Sequence, residues 1–101
     1  MIVVNARIEA DPKTIAALQP AIATMETASR AEPGCTDYTF SVELNNPSVL
    51  RITERWRDMQ ALAEHFATPH MAAFGAAMQA HPPKAVTATC YEVKEVPLPG
   101  R

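Results

Sequence analysis

The chain has 101 residues, 48% of them hydrophobic and 20% charged, and its nine Lys and Arg against eleven Asp and Glu leave a formal charge of −2. That size and balance fit one globular domain, residues 1–101, able to bury a core without disulfide or metal staples. They exclude the basic footprint of a nucleic-acid or anionic-membrane binder. No apolar run approaches the ~18 residues of a membrane span, and no membrane partner is expected. Residues 1–7 lack the charged start and long apolar stretch of a signal peptide, so a cytoplasmic protein is expected. Cys35 and Cys90 are too few for a disulfide scaffold and spaced wrongly for a zinc or redox motif, and they read as two reduced, half-buried thiols.

In chain order, residues 2–9 alternate, with Ile2, Val4, Ala6 and Ile8 on one face and Val3, Asn5, Arg7 and Glu9 on the other, which predicts a strand. Asp11-Pro12 opens a helix with Asp11 or Thr14 as cap, and Ile15, Leu18, Ile22 and Met25 form its buried stripe. Pro20 falls inside that pattern and should kink the helix or delay its start. Glu32-Pro33-Gly34 ends it. Cys35 to Glu43, rich in Thr, Tyr, Phe and Val, predicts a second strand, Asn45-Asn46-Pro47-Ser48 a turn, and Val49 to Trp56 a third strand paired with the second as a hairpin. On that third strand Leu50, Ile52, Glu54 and Trp56 share one face, and Arg51 and Arg55, with Arg57 beyond, the other.

Asp58 caps a second helix with Met59, Leu62 and Phe66 inward, and Thr68-Pro69 restarts it with Met71, Phe74 and Met78 as the next stripe. His81-Pro82-Pro83 stops it. Ala85 to Val96 predicts a last strand, and residues 97–101 a short tail. The order is β-α-β-β-α-β, the split βαβ or ferredoxin-like α+β plan, with one antiparallel sheet and helices on one face. The other sheet face would be bare, and an apolar bare face needs a cover, most simply a second copy of the chain.

Glu32-Pro33-Gly34-Cys35 leading to Tyr38, then Glu54-Arg55-Trp56, Ala61-Leu62, His65, and Thr68-Pro69-His70-Met71 with Phe74, resembles the antibiotic biosynthesis monooxygenase family. The resemblance implies a dimeric α+β barrel, that is a homodimer, with a pocket in each subunit between sheet and helices. It also implies oxygenation of a quinol or polyphenolic small molecule by O₂ with no cofactor. Such substrates form electron-rich anions that react with O₂ directly, so the protein need only deprotonate, position and shield them. Similar chains isomerise or decarboxylate small hydroxy-keto metabolites, degrade haem, or act as non-enzymatic ligand-binding or stress modules, and fold alone does not choose among these. The haem-degrading relatives carry an iron-ligating His where Phe74 or Gly75 stands here, which disfavours haem.

The catalytic candidates are Asn5, Trp56 and His65. Asn5 sits mid-strand, where Asn is disfavoured; it can hold a substrate oxygen, or it is a solvated polar residue. Trp56 packs the core or walls an aromatic pocket. His65 or His70 is a proton acceptor near its working range, with a helix-end or surface histidine as the rival reading. Tyr38, Phe66, His70 and Phe74 are substrate-binding candidates, the aromatics serving equally as core. Glu54, if buried, must be paired or hydrogen-bonded. Met25, Met59, Met71 and Met78 read as soft core filler. The arginine row reads as a solvated or inter-subunit salt-bridging face. His65 and His70 lie across the Thr68-Pro69 break, away from the i, i+4 spacing of a helical metal pair, and no ligand set is completed around them, so no metal is expected. Gly34, Gly75 and Gly100 are too scattered for a phosphate-binding loop. Asn5, Trp56 and His65 converge in the split βαβ plan only if Asn5 faces the helices.

Overall fold

The computed structural model describes residues 1–100. Its elements are β1 (Ile2–Glu9), α1 (Pro12–Arg30), β2 (Cys35–Glu43), β3 (Asn46–Trp56), α2 (Met59–Phe66), α3 (Pro69–Ala80) and β4 (Ala85–Glu92). The strands form one antiparallel sheet in the order β2-β3-β1-β4, with the helices on one face, the ferredoxin-like α+β arrangement. No helix among the described residues is long and apolar enough to cross a membrane.

The period-two pattern of β1 sets the sheet's two sides. Ile2, Val4, Ala6 and Ile8 are buried under the helices, joined across β3 by Leu50, Ile52, Glu54 and Trp56. The α1 stripe of Leu18, Ile22 and Met25 seals this core. Pro20 neither delays nor ends α1. Asp11 caps the helix from its start, its side chain accepting from the Lys13 N–H at 2.9 Å. Pro20 and Ala16 are both exposed, so the Ala16 carbonyl that the proline leaves unbonded faces water, and the buried stripe outweighs the missing bond.

Several boundaries differ from the sequence reading. The hairpin turns at Leu44-Asn45, so β3 begins at Asn46, and β4 stops at Glu92 rather than Val96. Helix α2 buries Ala61, Leu62 and His65, whereas Met59 and Phe66 point outward at 55% and 60% exposure. In so short a helix the inward stripe is narrow, and Ala61 claims it because it lies against Gly34. No helix covers β4, whose residues are all exposed. Cys90 is therefore exposed rather than half-buried, while Cys35 is partly buried as expected.

The bare face is polar, not apolar. The register aligns Thr39, Thr53, Asn5 and Thr89 in one row across all four strands, and Ser41, Arg51, Arg7 and Thr87 in the next. Arg51 pairs with Glu43 at 2.6 Å and Arg57 with Asp58 at 3.2 Å, so within one chain the arginine row carries local ion pairs. Such a face is not forced to find a cover by the hydrophobic effect.

Candidate functional site: a Glu-His cluster between two short helices

The site begins with a tight approach. Gly34 is buried after the turn that ends α1, and a Cβ there would stand 2.3 Å from the Ala61 Cβ. Only glycine lets this turn lie against α2. Hydrogen bonds from Glu32 N–H to Ser29 O (3.0 Å), Cys35 N–H to Glu32 O (3.0 Å) and Arg57 N–H to Gly34 O (2.8 Å) fix the turn. Glu32 is thereby aimed at the end of α2.

The chain between α2 and α3 supplies the other half. The Asp58 side chain caps α2 by accepting from the Ala61 N–H at 2.9 Å. Thr68 joins the two helices through one hydroxyl, donating to the His65 carbonyl at 2.7 Å and accepting from the Met71 N–H at 3.3 Å. The chain bends there, so His65 in the last turn of α2 and His70 in the first turn of α3 face the same point.

That point is Glu32. Its Oε2 lies 2.7 Å from His65 Nδ1 and 2.8 Å from His70 Nε2. A carboxylate can only accept, so both ring nitrogens donate to it. In a neutral His65 imidazole this leaves the lone pair on Nε2. His65 is 1% exposed, and its Nε2 is one of two buried side-chain polar atoms without a partner among the described residues, the other being Ser29 Oγ. An unbonded buried acceptor is uncommon and calls for a reason.

Rings enclose His65. The Trp56 ring centre lies 4.6 Å away and that of Tyr38 5.3 Å. Tyr38 continues to Phe40 at 5.9 Å, and Phe40 to Phe74 at 5.5 Å. Trp56 Nε1 donates to Glu54 Oε1 at 2.9 Å, which satisfies both groups inside the core. Burial pushes the Glu54 carboxyl above its ordinary range, against the weaker opposing pull of that hydrogen bond and of His65. Burial, with the Glu54 charge next, also pushes the Tyr38 phenol well up, so Tyr38 stays protonated. Desolvation raises the Cys35 thiol as well, which argues against a thiolate nucleophile.

The structure thus brings together Trp56, His65, His70 and Tyr38, and links Phe74 to them through Phe40. It does not bring Asn5. Trp56 pairs in register with Ile2, three positions from Asn5, and odd and even positions of β1 point to opposite sides. Asn5 is exposed on the bare face, so the convergence of Asn5 with His65 fails within one chain. Phe66 touches the His65 ring edge-on at 5.8 Å but faces outward. The site residue that sequence reading missed is Glu32. Its only signal was its place beside Pro33-Gly34; nothing in one sequence reveals that a residue 33 positions from His65 closes onto it. With Glu32 present, the reading that nothing completes a ligand set around the histidines is also corrected. Glu32, His65 and His70 each offer a ligand atom, all within 4.8 Å of one another.

A groove of about 330 Å³ lies elsewhere, between α1 and the β2–β3 hairpin, walled by Ile15, Ile22, Phe40 and Leu50 with Glu26 at its side. It is not beside Asn5.

The sequence pattern of the antibiotic biosynthesis monooxygenase family matches residues 1–77. The chain belongs to this family. Among solved structures, a candidate antibiotic biosynthesis monooxygenase from Deinococcus radiodurans is 26% identical and superposes with a TM-score of 0.89 over 97% of each chain. A Mycobacterium tuberculosis protein is 28% identical, with a TM-score of 0.83 over 94% of this chain and 96% of its own. A candidate antibiotic biosynthesis monooxygenase from Caulobacter crescentus is 26% identical, with a TM-score of 0.83 over 93% and 90%. No curated protein matches the chain by sequence. In this member of the family the Glu-Pro-Gly-Cys motif is where the turn, the glycine contact and Glu32 coincide.

Proposed function

We propose that this protein is a cofactor-independent monooxygenase acting on a phenolic or quinol-type small molecule, with His65 as the proton acceptor. The observation that carries this reading is the His65–Glu32 pair at 2.7 Å, which leaves a buried, unpartnered Nε2 among aromatic rings. Glu32 fixes the tautomer, as the carboxylate does in other His-carboxylate pairs, and steadies the imidazolium that forms. The phenol gives its proton to Nε2. The resulting electron-rich anion reduces O₂; one oxygen atom forms the new carbon–oxygen bond, and the other leaves as water with two substrate hydrogens. Trp56 and Tyr38, both buried, wall the His65 ring and keep bulk water from it. His70 donates to the same Glu32 oxygen and helps hold the carboxylate in place.

The resemblance carries a homodimer with it, and we propose one that packs the bare sheet faces of two copies together. The polar rows on that face make its interface wetter than an apolar core. Light scattering at micromolar concentration should show a dimer, and a stable folded monomer would overturn it.

The direct test of activity is O₂ uptake and product mass on metal-stripped protein, screened over electron-rich phenols and hydroquinones. A product heavier by oxygen with loss of hydrogen supports the reading. Turnover with no oxygen incorporated would point instead to an isomerase or decarboxylase. A ligand-binding module is the second reading, favoured by the groove between α1 and the hairpin, which is separate from His65. Binding of a small apolar molecule there without turnover would support it.

A further inference from the structure

We propose that Glu32, His65 and His70 form a binding site for one borderline divalent cation of the Zn²⁺ or Co²⁺ class, with water completing its coordination. The inference goes beyond the proposed oxygenation and does not depend on it. Two imidazoles and one carboxylate are the donor set such cations take, whereas Mg²⁺ and Ca²⁺ prefer oxygen alone. The three donor atoms, Glu32 Oε2, His65 Nδ1 and His70 Nε2, already lie within 4.8 Å of one another. Metal–ligand distances of about 2.0–2.2 Å place neighbouring donors of a tetrahedral site about 3.3–3.5 Å apart. The two contacts at 2.7 and 2.8 Å would open by roughly half an ångström as the cation replaces the protons between them.

The scaffold for this is rigid. Glu32 leaves a turn locked by Gly34 against Ala61, and the Thr68 hydroxyl ties the end of α2, carrying His65, to the start of α3, carrying His70. His65 is fully buried, while Glu32 and His70 keep partial access to solvent, so an entry path and an open position for water lie on one side. Metal on Nδ1 also moves the His65 proton to Nε2. The cation-loaded and proton-accepting states of this cluster therefore exclude each other, a corollary that, unlike the site itself, rests on the proposed function.

The test is binding, with no substrate present. Zn²⁺ titration by calorimetry and Co²⁺ titration by visible absorption should give one ion per chain, with the intense bands of a four- or five-coordinate nitrogen-oxygen site for Co²⁺. Glu32→Gln and His70→Ala should each weaken binding by more than the roughly 10–100-fold that losing a mere outer-shell partner costs. His81→Ala, altering an exposed residue at the end of α3, should leave it unchanged. His70→Gln keeps a donor towards Glu32 and serves where the alanine variant lacks a native unfolding transition. No saturable binding to wild type, or binding equally strong in the Glu32 and His70 variants, would overturn the site. Either result leaves the oxygen-uptake test of the proposed function untouched.

Discussion

On the covered face of the sheet, Glu54, Trp56 and Tyr38 lie beneath α2, and among the described residues every buried side-chain nitrogen and oxygen except His65 Nε2 and Ser29 Oγ has a partner. On the bare face, Thr39, Thr53, Asn5 and Thr89 run across all four strands with no helix over them, and Thr39 donates to Asp37 at 2.8 Å. Both faces carry polar residues, a few within the apolar core on one side and whole rows on the other, and the physical setting differs. A hydroxyl or amide in water contributes little directional force, because solvent competes for every hydrogen bond. A carboxylate and an imidazole largely screened from water act strongly on each other and on anything placed between them. A polar residue gains chemical leverage from where its strand parity and its covering helix put it, not from its type.

The comparison breaks first at His65. His65→Asn keeps a short amide donor towards Glu32 but removes the Nε2 lone pair. If His65 is the acceptor, turnover should fall by about 10²–10⁴. A steady-state assay on the substrate found by the oxygen-uptake screen decides it, and wild-type turnover in the variant would move the chemistry off this face. Next in size is Trp56→Ala. Trp56 is fully buried and hydrogen-bonded to Glu54, so the variant should lose about 3–5 kcal/mol in chemical denaturation, from cavity formation and an orphaned carboxylate together. Gly34→Ala follows. The added Cβ meets Ala61 at 2.3 Å, both partners being short and unable to rotate away, so α2 must shift. Overpacking of this kind costs about 1–3 kcal/mol, and the Glu32–His65 bond should lengthen with it, seen as a loss of turnover greater than the loss of stability explains.

The fold was legible because its signals are local. The alternation of Ile2, Val4, Ala6 and Ile8, the 3–4 spacing of Leu18, Ile22 and Met25, and the Thr68-Pro69 restart each declare themselves within one turn or strand. Pro20 misled because its cost depends on whether it faces water, a tertiary fact. Met59 and Phe66 misled because apolar type outvoted position, although Ala61 was held inward by a glycine in a distant turn. The site was half legible. Trp56 and His65 could be named from residue type and motif, but Glu32 meets them only after 33 residues of chain have folded back, and Asn5 depended on parity that one strand cannot fix alone.

Glu54→Gln sharpens the comparison through pH. Burial raises the Glu54 carboxyl, so the folded state holds that proton more tightly than the unfolded chain does. The stability this contributes is fully present below the ordinary carboxylate range and is lost as pH rises through the raised value. Wild-type Tm should therefore decline across that window on going from acid towards neutral pH. Gln keeps an oxygen for the Trp56 N–H but does not titrate, so the variant's decline should be shallower by a few degrees. Parallel curves would mean that Glu54 does not carry a raised carboxyl.

The smallest expected effect belongs to Asn5, and it is the most direct measure of the difference between the faces. Asn5 pairs with Thr53 and Thr89 in register, is exposed, and makes no side-chain hydrogen bond among the described residues. Within one chain its amide therefore has no partner to lose. Substitutions at such positions usually change stability by no more than about 0.5 kcal/mol, and Asn5→Ala also replaces a poor strand former with one no worse. Turnover should stay near wild type, because the sheet backbone itself separates Asn5 from His65. A donor holding a reacting oxygen would behave otherwise, costing about 10²–10³ in kcat when removed. A loss of that size with the fold intact would place the reacting oxygen on the bare face, where the only wall opposite Asn5 could come from a second copy of the chain.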